Sequence, residues 1–272
     1  AVEGNFDDCQ NLVKAMFADK KFANEIKMSG VNSINWARII AQSVYYFYSY
    51  FLIDDTDKPI NFSVPTGNFG DVYAGYLAKK IGLPINKFIV ATNQNDILHR
   101  AISKGIYNVE NVSETISPSM DIQIASNFER LIYDLKDHND KKTIEVMKSI
   151  KEKGRYEIDK ESLDKINIDF LSSSMDESEV LNTIKSVYEK FNIVLDPHSA
   201  IGYGAFDKVN LKGNNVVLAT AHPCKFPDAI KKAINLKPQL PRELAFVLDE
   251  KENYDIIENN LNKIKKYIKE RI

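Results

Sequence analysis

The chain has 272 residues, of which 44% are hydrophobic and 27% charged, and its formal net charge is −2. These values are ordinary for a soluble globular protein with one large domain or two smaller ones. The balanced charge argues against a nucleic-acid partner, and the lack of an apolar run of roughly 18 residues or a signal peptide argues against a membrane partner. Cys9 and Cys224 are far apart without metal-ligand spacing, so we predict a cytoplasmic protein with no metal site.

The first residues, AVEGNFDDCQ, indicate the end of a strand that leads into a helix. The apolar residues that follow recur at the spacing of one helix face. These residues are Cys9, Leu12, Val13, Met16 and Phe17. Because the chain opens on a strand end and without Met, we expect it to be incomplete at its N-terminus.

Residues 31–52, VNSINWARIIAQSVYYFYSYFL, predict a long helix with an apolar, aromatic core face. Polar groups crowd its start: Asn32, Ser33 and Asn35, with Arg38 nearly one turn beyond Asn35. Such amide, hydroxyl and guanidinium groups suit a carboxylate or a phosphate. Pattern alone favours a simpler interpretation, in which Asn32 or Ser33 caps the helix and Arg38 lies on the surface.

The stretch NFSVPTGNFGDVYAGYLAKK predicts a strand, a glycine turn and a helix that begins at Asp71. Gly67 and Gly70 allow positive φ and a close approach of the backbone, so that successive N–H groups can point at one anion at the helix N-terminus. The turn lacks the P-loop Lys-Ser/Thr and the G-x-G-x-x-G spacing, which disfavours ATP and NAD. By itself the turn is explained more simply as a tight connection between strand and helix.

The next stretch, NKFIVATNQNDILHRAISKG, repeats this order, with a buried strand Phe88–Ala91 and a helix that Gly105 ends. Two successive strand–loop–helix units predict a parallel α/β sheet. Ligands of such sheets bind beyond the carboxyl ends of the strands, where the turn with Asn93 and Asp96 would lie.

Residues 136–191 are rich in Lys, Asp, Glu and Ser, and we expect a charged helical insertion with little chemistry. Its helical patches are Thr143–Lys153 and Glu177–Phe191. The helix before it is predicted to start at Ser126 or Asn127.

The stretch NNVVLATAHPCKFPDAI predicts a strand Val216–Ala219, followed by Thr220 at the carboxyl edge of the sheet. His222 is better explained as a turn histidine than as a base, and Lys225 is equally compatible with a Schiff-base lysine and a solvent-facing one. The C-terminal helix has an apolar face. It comprises Ile256, Ile257, Leu261, Ile264 and Ile268.

Several blocks, in this order, closely resemble the threonine synthase family over nearly the whole chain outside the charged insertion. They are AVEGNFDDCQ, VNSINWARIIAQSVYYF, SVPTGNFGDVYAGYLAKKIGLP, ATNQNDIL, SPSMDIQIASNFERL, DPHSAIGYGA and ATAHPCKFPDAI. The resemblance implies a fold-type II enzyme that depends on pyridoxal 5'-phosphate (PLP). This fold is an α/β class similar to the tryptophan synthase β chain, with a parallel sheet flanked by helices.

The same resemblance implies roles for the candidate residues. Gly67, Asn68, Phe69 and Gly70 would bind the phosphate of PLP, and Thr220 would face the pyridine nitrogen. Asn32, Ser33, Asn35 and Arg38 would belong to the pocket of the substrate, O-phospho-L-homoserine. Residues 1–30 would be the remainder of a smaller α/β domain, and 31–135 with 192–272 would form the PLP phosphate-binding lobe, interrupted by 136–191.

Enzymes of this family eliminate phosphate from O-phospho-L-homoserine and add water to form L-threonine, which is the last step of threonine biosynthesis. They are classed as carbon–oxygen lyases that act on phosphates. One lysine forms the Schiff base, in a Phe-Lys-Asp block followed by a Ser-Gly-Asp/Asn-Thr-Gly turn, and this sequence contains neither block. We therefore expect no catalytic residue here, no turnover by this chain alone, and a partner in the missing N-terminal part. Lys225 is not at the family's Schiff-base position.

Two alternatives stay open. The chain could be a non-catalytic remnant or a split-subunit module that binds a phosphate-bearing ligand or a partner chain. It could also be a related PLP lyase such as a serine/threonine dehydratase, although the blocks SPSMDIQIASNFERL and NSINWAR disfavour this.

Overall fold

A computed structural model describes residues 1–4, 6–30, 35–55, 57–248 and 250–272. The chain comprises two compact units. The smaller unit is Ala1–Val31 with Leu240–Ile272, and the larger unit is Asn32–Gln239.

The strands of the described chain are short. They are β1 (Ile60–Pro65), β2 (Ile85–Thr92), β3 (Ile106–Asn108), β4 (Arg155–Glu157), β5 (Phe170–Ser174) and β6 (Asn214–Val217).

The helices of the described chain differ widely in length. They are α1 (Phe6–Ala18), α2 (Lys20–Glu25), α3 (Trp36–Phe51), α4 (Gly70–Lys80), α5 (Ile97–Lys104), α6 (Phe128–Leu135), α7 (Asp140–Lys153), α8 (Lys160–Asp169), α9 (Glu177–Phe191), α10 (Pro197–Val209), α11 (Pro227–Ile234) and α12 (Leu261–Lys269). Short 3-10 turns lie at Pro118–Met120, Pro223–Lys225 and Arg242–Leu248. Within the described residues, no helix is long and apolar enough to cross a membrane.

Strand β1 is central in a four-stranded parallel sheet with the order β5-β2-β1-β6. Ser63 of β1 pairs with Ile89 of β2 on one side and with Val217 of β6 on the other. Every residue of β1 is buried, as expected for a strand covered on both faces. The predicted parallel α/β sheet is therefore confirmed, and the carboxyl ends of its strands lie at one edge.

The segment 136–191 contains strands as well as helices. The helices predicted at Thr143–Lys153 and Glu177–Phe191 are confirmed as α7 and α9. Between them, β5 pairs with β2 at the edge of the main sheet, and β4 pairs antiparallel with β3. Strand β5 was not predicted because its sequence, FLSSS, is mostly polar and the strand is held by backbone pairing to its neighbour.

The smaller unit encloses a core of Met16, Phe22 and Ile264, contributed by α1, α2 and α12. Its isolated parallel bridge joins Val2 to Ile257, which agrees with the predicted strand end at the N-terminus. Ile256 precedes the last helix and is 67% exposed, so its predicted place on the apolar face was wrong. Residues 240–272 are thus grouped with the N-terminal segment, whereas the sequence analysis grouped them with 192–239.

Within the larger unit, Tyr46 of α3 packs between Phe62 and Phe88, with ring centroids 4.9 and 6.1 Å away. A Cβ at Gly75 of α4 would lie 2.4 Å from Cε1 of Tyr46. The glycine therefore permits the close contact between α3 and α4 that brings the start of α4 beside α3.

Candidate functional site

A cavity of about 670 Å³ lies at the carboxyl edge of the sheet in the larger unit. Four separate segments line it: α3, the connection between β1 and α4, Ser119, and strand β6 with the residues that follow it. Arg38, the whole turn 66–71 and Thr220 all belong to this lining. The structure therefore brings the predicted phosphate loop, Thr220 and Arg38 into one site.

The turn between β1 and α4 is an array of hydrogen-bond donors. The Thr66 N–H donates to the carbonyl of Ala91 at 2.7 Å, which ties the turn to the end of β2. The backbone N–H groups of residues 67–71 have no acceptor among the described residues, and α4 begins directly behind them. Consecutive free N–H groups at a helix N-terminus form a binding site for an anion.

Phe69, and neither of the two glycines, adopts the left-handed conformation in this turn, with φ 64° and ψ 7°. Gly67 and Gly70 allow positive φ, but neither adopts it in this structure. Gly67 is needed for a different reason, because a Cβ there would lie 2.7 Å from the carbonyl oxygen of Ser119. The glycine lets the backbone of residue 119 close against the turn.

Phe69 anchors the turn through its side chain. It is 1% exposed, and its ring lies 5.3 Å from that of Phe128 and 5.8 Å from that of Phe170. This packing compensates for the left-handed backbone, which is uncommon for a bulky residue. Phe69 can therefore contact a ligand through its backbone N–H, with its ring kept in the core.

Asn68 holds the turn to the start of α6. Its carbonyl accepts hydrogen bonds from the Asn127 N–H and Nδ2, both at 3.1 Å, and its Oδ1 accepts from the Ser126 N–H at 3.4 Å. The Asn68 N–H remains available to the cavity.

Thr220 follows β6 and is exposed to the cavity. Its N–H donates to Oγ of Ser199 at 3.1 Å, whereas its hydroxyl has no hydrogen-bond partner in the part of the chain that the structure describes. Ser199 in turn belongs to a buried network with Asp196 and His198, which the sequence analysis missed. The Asp-Pro-His-Ser sequence at the start of α10 is a helix-capping signal that could have revealed it.

Asp71 also lines the cavity, and its Oδ1 accepts a hydrogen bond from the Tyr46 hydroxyl at 3.2 Å. Burial raises its pKa to about 6, against a smaller lowering effect of the hydrogen bond from Tyr46. Above this pKa the negative charge of the Asp71 carboxylate therefore repels a bound anion.

Among the predicted substrate residues, Arg38 lines the cavity and Asn35 caps α3 by accepting a hydrogen bond from the Ala37 N–H at 3.0 Å. The cap interpretation thus applies to Asn35. Asn32 and Ser33 lie outside the described residues.

Asn93 and Asp96 have structural partners. Asn93 is 2% exposed and its Nδ2 donates to Asp121 Oδ1 at 2.7 Å, which anchors the loop before residue 121. Asp96 pairs with Arg100, 2.7 Å away. Both side chains act in the fold around the cavity.

His222 accepts a hydrogen bond from the Cys224 N–H through Nδ1, at 3.2 Å, which confirms the interpretation as a turn histidine. Lys225 borders a smaller cavity of about 150 Å³ together with Gly67, Ser119 and Thr220. No group of three or more metal-ligating side chains occurs among the described residues.

Sequence comparisons with known proteins match one family, the threonine synthases. A family model described as "Threonine synthase, C-terminal" matches residues 199–268. The threonine synthase of Pseudomonas aeruginosa is 44% identical over 271 residues, which cover 98% of this chain and 58% of that protein. The threonine synthase of Saccharomyces cerevisiae is 40% identical over 301 residues, covering 100% of this chain and 59% of that protein.

Solved structures agree with these sequence matches. The PLP-bound threonine synthase from Brucella melitensis superimposes with a TM-score of 0.93 at 46% identity, covering 99% of this chain and 58% of that one. The threonine synthase from yeast superimposes with a TM-score of 0.89 at 39% identity, with the same coverage. The chain thus spans somewhat more than half the length of these relatives, and the predicted fold-type II architecture is confirmed.

Proposed function

We propose that this chain, which belongs to the threonine synthase family, binds the phosphate and the pyridine ring of PLP. In this proposal it is part of an enzyme that converts O-phospho-L-homoserine and water into L-threonine and phosphate. The observation that carries the proposal is the convergence of the N–H groups of 67–71, Thr220 and Arg38 on one cavity of about 670 Å³.

The donors of this cavity fit the two polar ends of PLP. The N–H groups of residues 67–71 and the N-terminus of α4 would hold the phosphate, since the close approach of Ser119 to Gly67 leaves a cradle made of backbone. The free hydroxyl of Thr220 would face the pyridine nitrogen. When bound, PLP would supply an electron sink for a carbanion formed on an amino acid.

The residues of this chain bind and orient the cofactor in the proposed site. A neutral hydroxyl at Thr220 leaves the pyridine ring less electron-withdrawing than a carboxylate partner would. Phe69 keeps the phosphate-binding N–H groups in place through its buried ring. Arg38 offers a guanidinium group to an anionic substrate, and we keep Asn32, Ser33 and Asn35 as proposed neighbours of that substrate.

The Phe-Lys-Asp block that the family resemblance associates with the Schiff-base lysine does not occur in this sequence, and no lysine is among the described residues that line the cavity of about 670 Å³. We therefore propose that the Schiff-base lysine lies outside these 272 residues, that the remainder of the enzyme is the partner of this chain, and that the chain alone has no turnover. The same observation favours the second candidate function, a non-catalytic module that binds a phosphate-bearing ligand. A cytoplasmic location also remains a proposal.

The test is a pair of binding measurements on the 272-residue chain. PLP and inorganic phosphate are titrated separately by calorimetry, and PLP is then titrated in the presence of phosphate. We expect both to bind and phosphate to weaken the apparent affinity for PLP in proportion to its concentration. A PLP affinity that phosphate leaves unchanged would contradict the proposed phosphate cradle.

Activity separates the two candidate functions. Threonine formation from O-phospho-L-homoserine is measured for the chain alone and for the chain joined to the remaining part of a related enzyme. Turnover only in the joined protein supports the first function, and binding without turnover in either supports the second. Turnover by the chain alone, together with a borohydride-trapped PLP adduct on Lys225, would overturn our assignment.

A further inference from the structure

We propose that Asp196 is a positioning residue that holds both ends of the proposed cofactor site through two separate arms. One arm runs through His198 to the wall of the phosphate turn, and the other runs through Ser199 to Thr220. The inference rests on the proposed function for its ligand, but its contacts exist in the protein without any ligand.

Asp196 is the N-cap of α10, and its carboxylate receives a separate set of donors at each oxygen. Oδ1 accepts from the N–H and the Nδ1 of His198, both at 2.9 Å. Oδ2 accepts from the N–H of Ser199 at 3.2 Å and from its hydroxyl. Asp196, His198 and Ser199 are all buried, with 1%, 4% and 2% of each residue exposed. The arm through His198 therefore uses Oδ1 of Asp196, and the arm through Ser199 uses Oδ2.

The first arm reaches the phosphate turn through His198. Because the carboxylate of Asp196 can only accept, His198 carries its hydrogen on Nδ1, and its Nε2 is an acceptor. Nε2 accepts the N–H of Ser119 at 3.3 Å. The carbonyl of Ser119 stands 2.7 Å from the position of a Cβ on Gly67, so His198 holds the segment that closes the cradle.

The second arm reaches the ring-nitrogen end of the site through Ser199. The Ser199 hydroxyl donates to Asp196, so its oxygen is free to accept, and it accepts the N–H of Thr220 at 3.1 Å. Thr220 is an exposed residue in the connection between the half-buried edge strand β6 and the 3-10 turn Pro223–Lys225. This bond fixes the backbone that presents the Thr220 hydroxyl to the cavity.

The charge of Asp196 suits this role. Burial raises its pKa, but the hydrogen bonds from His198 and Ser199 outweigh that effect, and the net result is a lowered pKa. The group therefore remains a carboxylate at neutral pH. Hydrogen bonds to a carboxylate are stronger than those between neutral groups, and the polarised Ser199 hydroxyl becomes a better acceptor for Thr220.

The test separates the two arms with single substitutions in the 272-residue chain. Ser199→Ala removes the bond to Thr220, and His198→Leu removes the bond to Ser119. Amide hydrogen exchange of Ser119 and Thr220 is measured by NMR without ligand, and affinities for inorganic phosphate and PLP are measured by calorimetry. The control is Ser186→Ala, the same change on the exposed face of α9, where Oγ donates to the carbonyl of Thr183 at 3.1 Å.

We expect Ser199→Ala to speed amide exchange at Thr220 by about tenfold and to lower the affinity for PLP by a similar factor, with the affinity for phosphate unchanged. His198→Leu is expected to speed amide exchange at Ser119 and to lower the affinities for both phosphate and PLP. Equal effects of Ser199→Ala on both amides, or unchanged exchange at Thr220, would overturn the inference.

The outcomes distinguish this inference from the proposed function. If the unsubstituted chain binds neither ligand, the proposed function fails, and the exchange pattern alone decides whether the two arms exist. If the ligands bind but Ser199→Ala weakens phosphate as much as PLP, the proposed function stands and the separate positioning of Thr220 is refuted. Should His198→Leu fail to fold, Ser199→Ala still gives the decisive comparison.

Discussion

The phenolic hydroxyl of Tyr46 lies 2.8 Å from the backbone carbonyl oxygen of Asp71 and 3.2 Å from Oδ1 of the same residue. Tyr46 is fully buried in α3, and Asp71 is in the first turn of α4, where the proposed phosphate cradle ends. The contact therefore couples the packing of α3 against α4 to the geometry and the charge of the anion site.

Tyr46→Phe keeps the ring packing against Phe62 and Phe88 and removes only the hydroxyl. We expect a loss of about 1–2 kcal/mol in the free energy of unfolding, since a partly buried hydrogen bond is lost and Asp71 keeps an unsatisfied oxygen. Urea unfolding checks this value. Tyr50→Phe on the same helix is the matched control, because the Tyr50 hydroxyl has no hydrogen-bond partner among the described residues. An equal effect of both substitutions would refute the role of the contact.

The pKa of Asp71 predicts how stability depends on pH. Burial raises this pKa from 3.8 to about 6 in the folded state, so the folded protein binds the proton more tightly than the unfolded one. The contribution of Asp71 to stability is therefore largest below pH 4 and decreases as the pH rises from about 4 to about 6, by at most about 3 kcal/mol.

Asp71→Asn removes this titration. Relative to the unsubstituted chain, we expect the variant to be more stable above pH 6 and to lose the advantage near pH 4. Urea unfolding from pH 4 to pH 7 measures the difference. An unchanged pH dependence in the variant would contradict the raised pKa.

Anion binding is expected to follow the same titration. A carboxylate at Asp71 repels a dianion in the neighbouring cradle, so affinity for sulfate should fall severalfold as the pH rises from 5 to 7. Sulfate is the suitable probe because its own charge does not change in this range. Calorimetry should show a nearly constant sulfate affinity in Asp71→Asn, and a parallel decline in both proteins would refute the role of Asp71.

Gly67→Ala places a methyl group 2.7 Å from the carbonyl oxygen of Ser119, a contact that forces the backbone of one of the two segments to move. We expect phosphate affinity to fall at least about tenfold, because the displaced N–H groups no longer point at the same anion. Gly30→Ala is the control, since its Cβ would meet its neighbour at 3.5 Å, an ordinary contact. Equal phosphate affinities in the two variants would show that the turn tolerates a side chain.

Local patterns were sufficient to predict the elements that carry the site. A buried apolar run before the turn and a helix behind it predicted β1 and α4, and the same order predicted β2 and α5. Backbone chemistry at a helix N-terminus, which depends on neighbouring residues only, allowed an anion site at 67–71, although the turn alone was explained more simply as a tight connection between strand and helix. The resemblance to a family then implied a role for Thr220, for which periodicity alone offered none, and this role stays a prediction.

Other features could not be predicted because they depend on long-range packing. Phe69 takes the left-handed conformation because Phe128 and Phe170 hold its ring, and both are distant in sequence. Strand β5 exists because the edge of β2 is available to pair with it. Asn35 became a helix cap once the start of α3 was known.

The strand–loop–helix pattern of the α/β fold and the donor-rich turn at 67–71 could be predicted from the chain alone, since each is encoded in contiguous residues. Which loops share the cavity, and that Asp196 reaches two of them through His198 and Ser199, depends on packing between distant segments. The Ser119–His198 hydrogen bond spans 79 positions, and the one between Thr220 and Ser199 spans 21. Contacts of this kind arise from the order β5-β2-β1-β6, which places distant strand ends side by side.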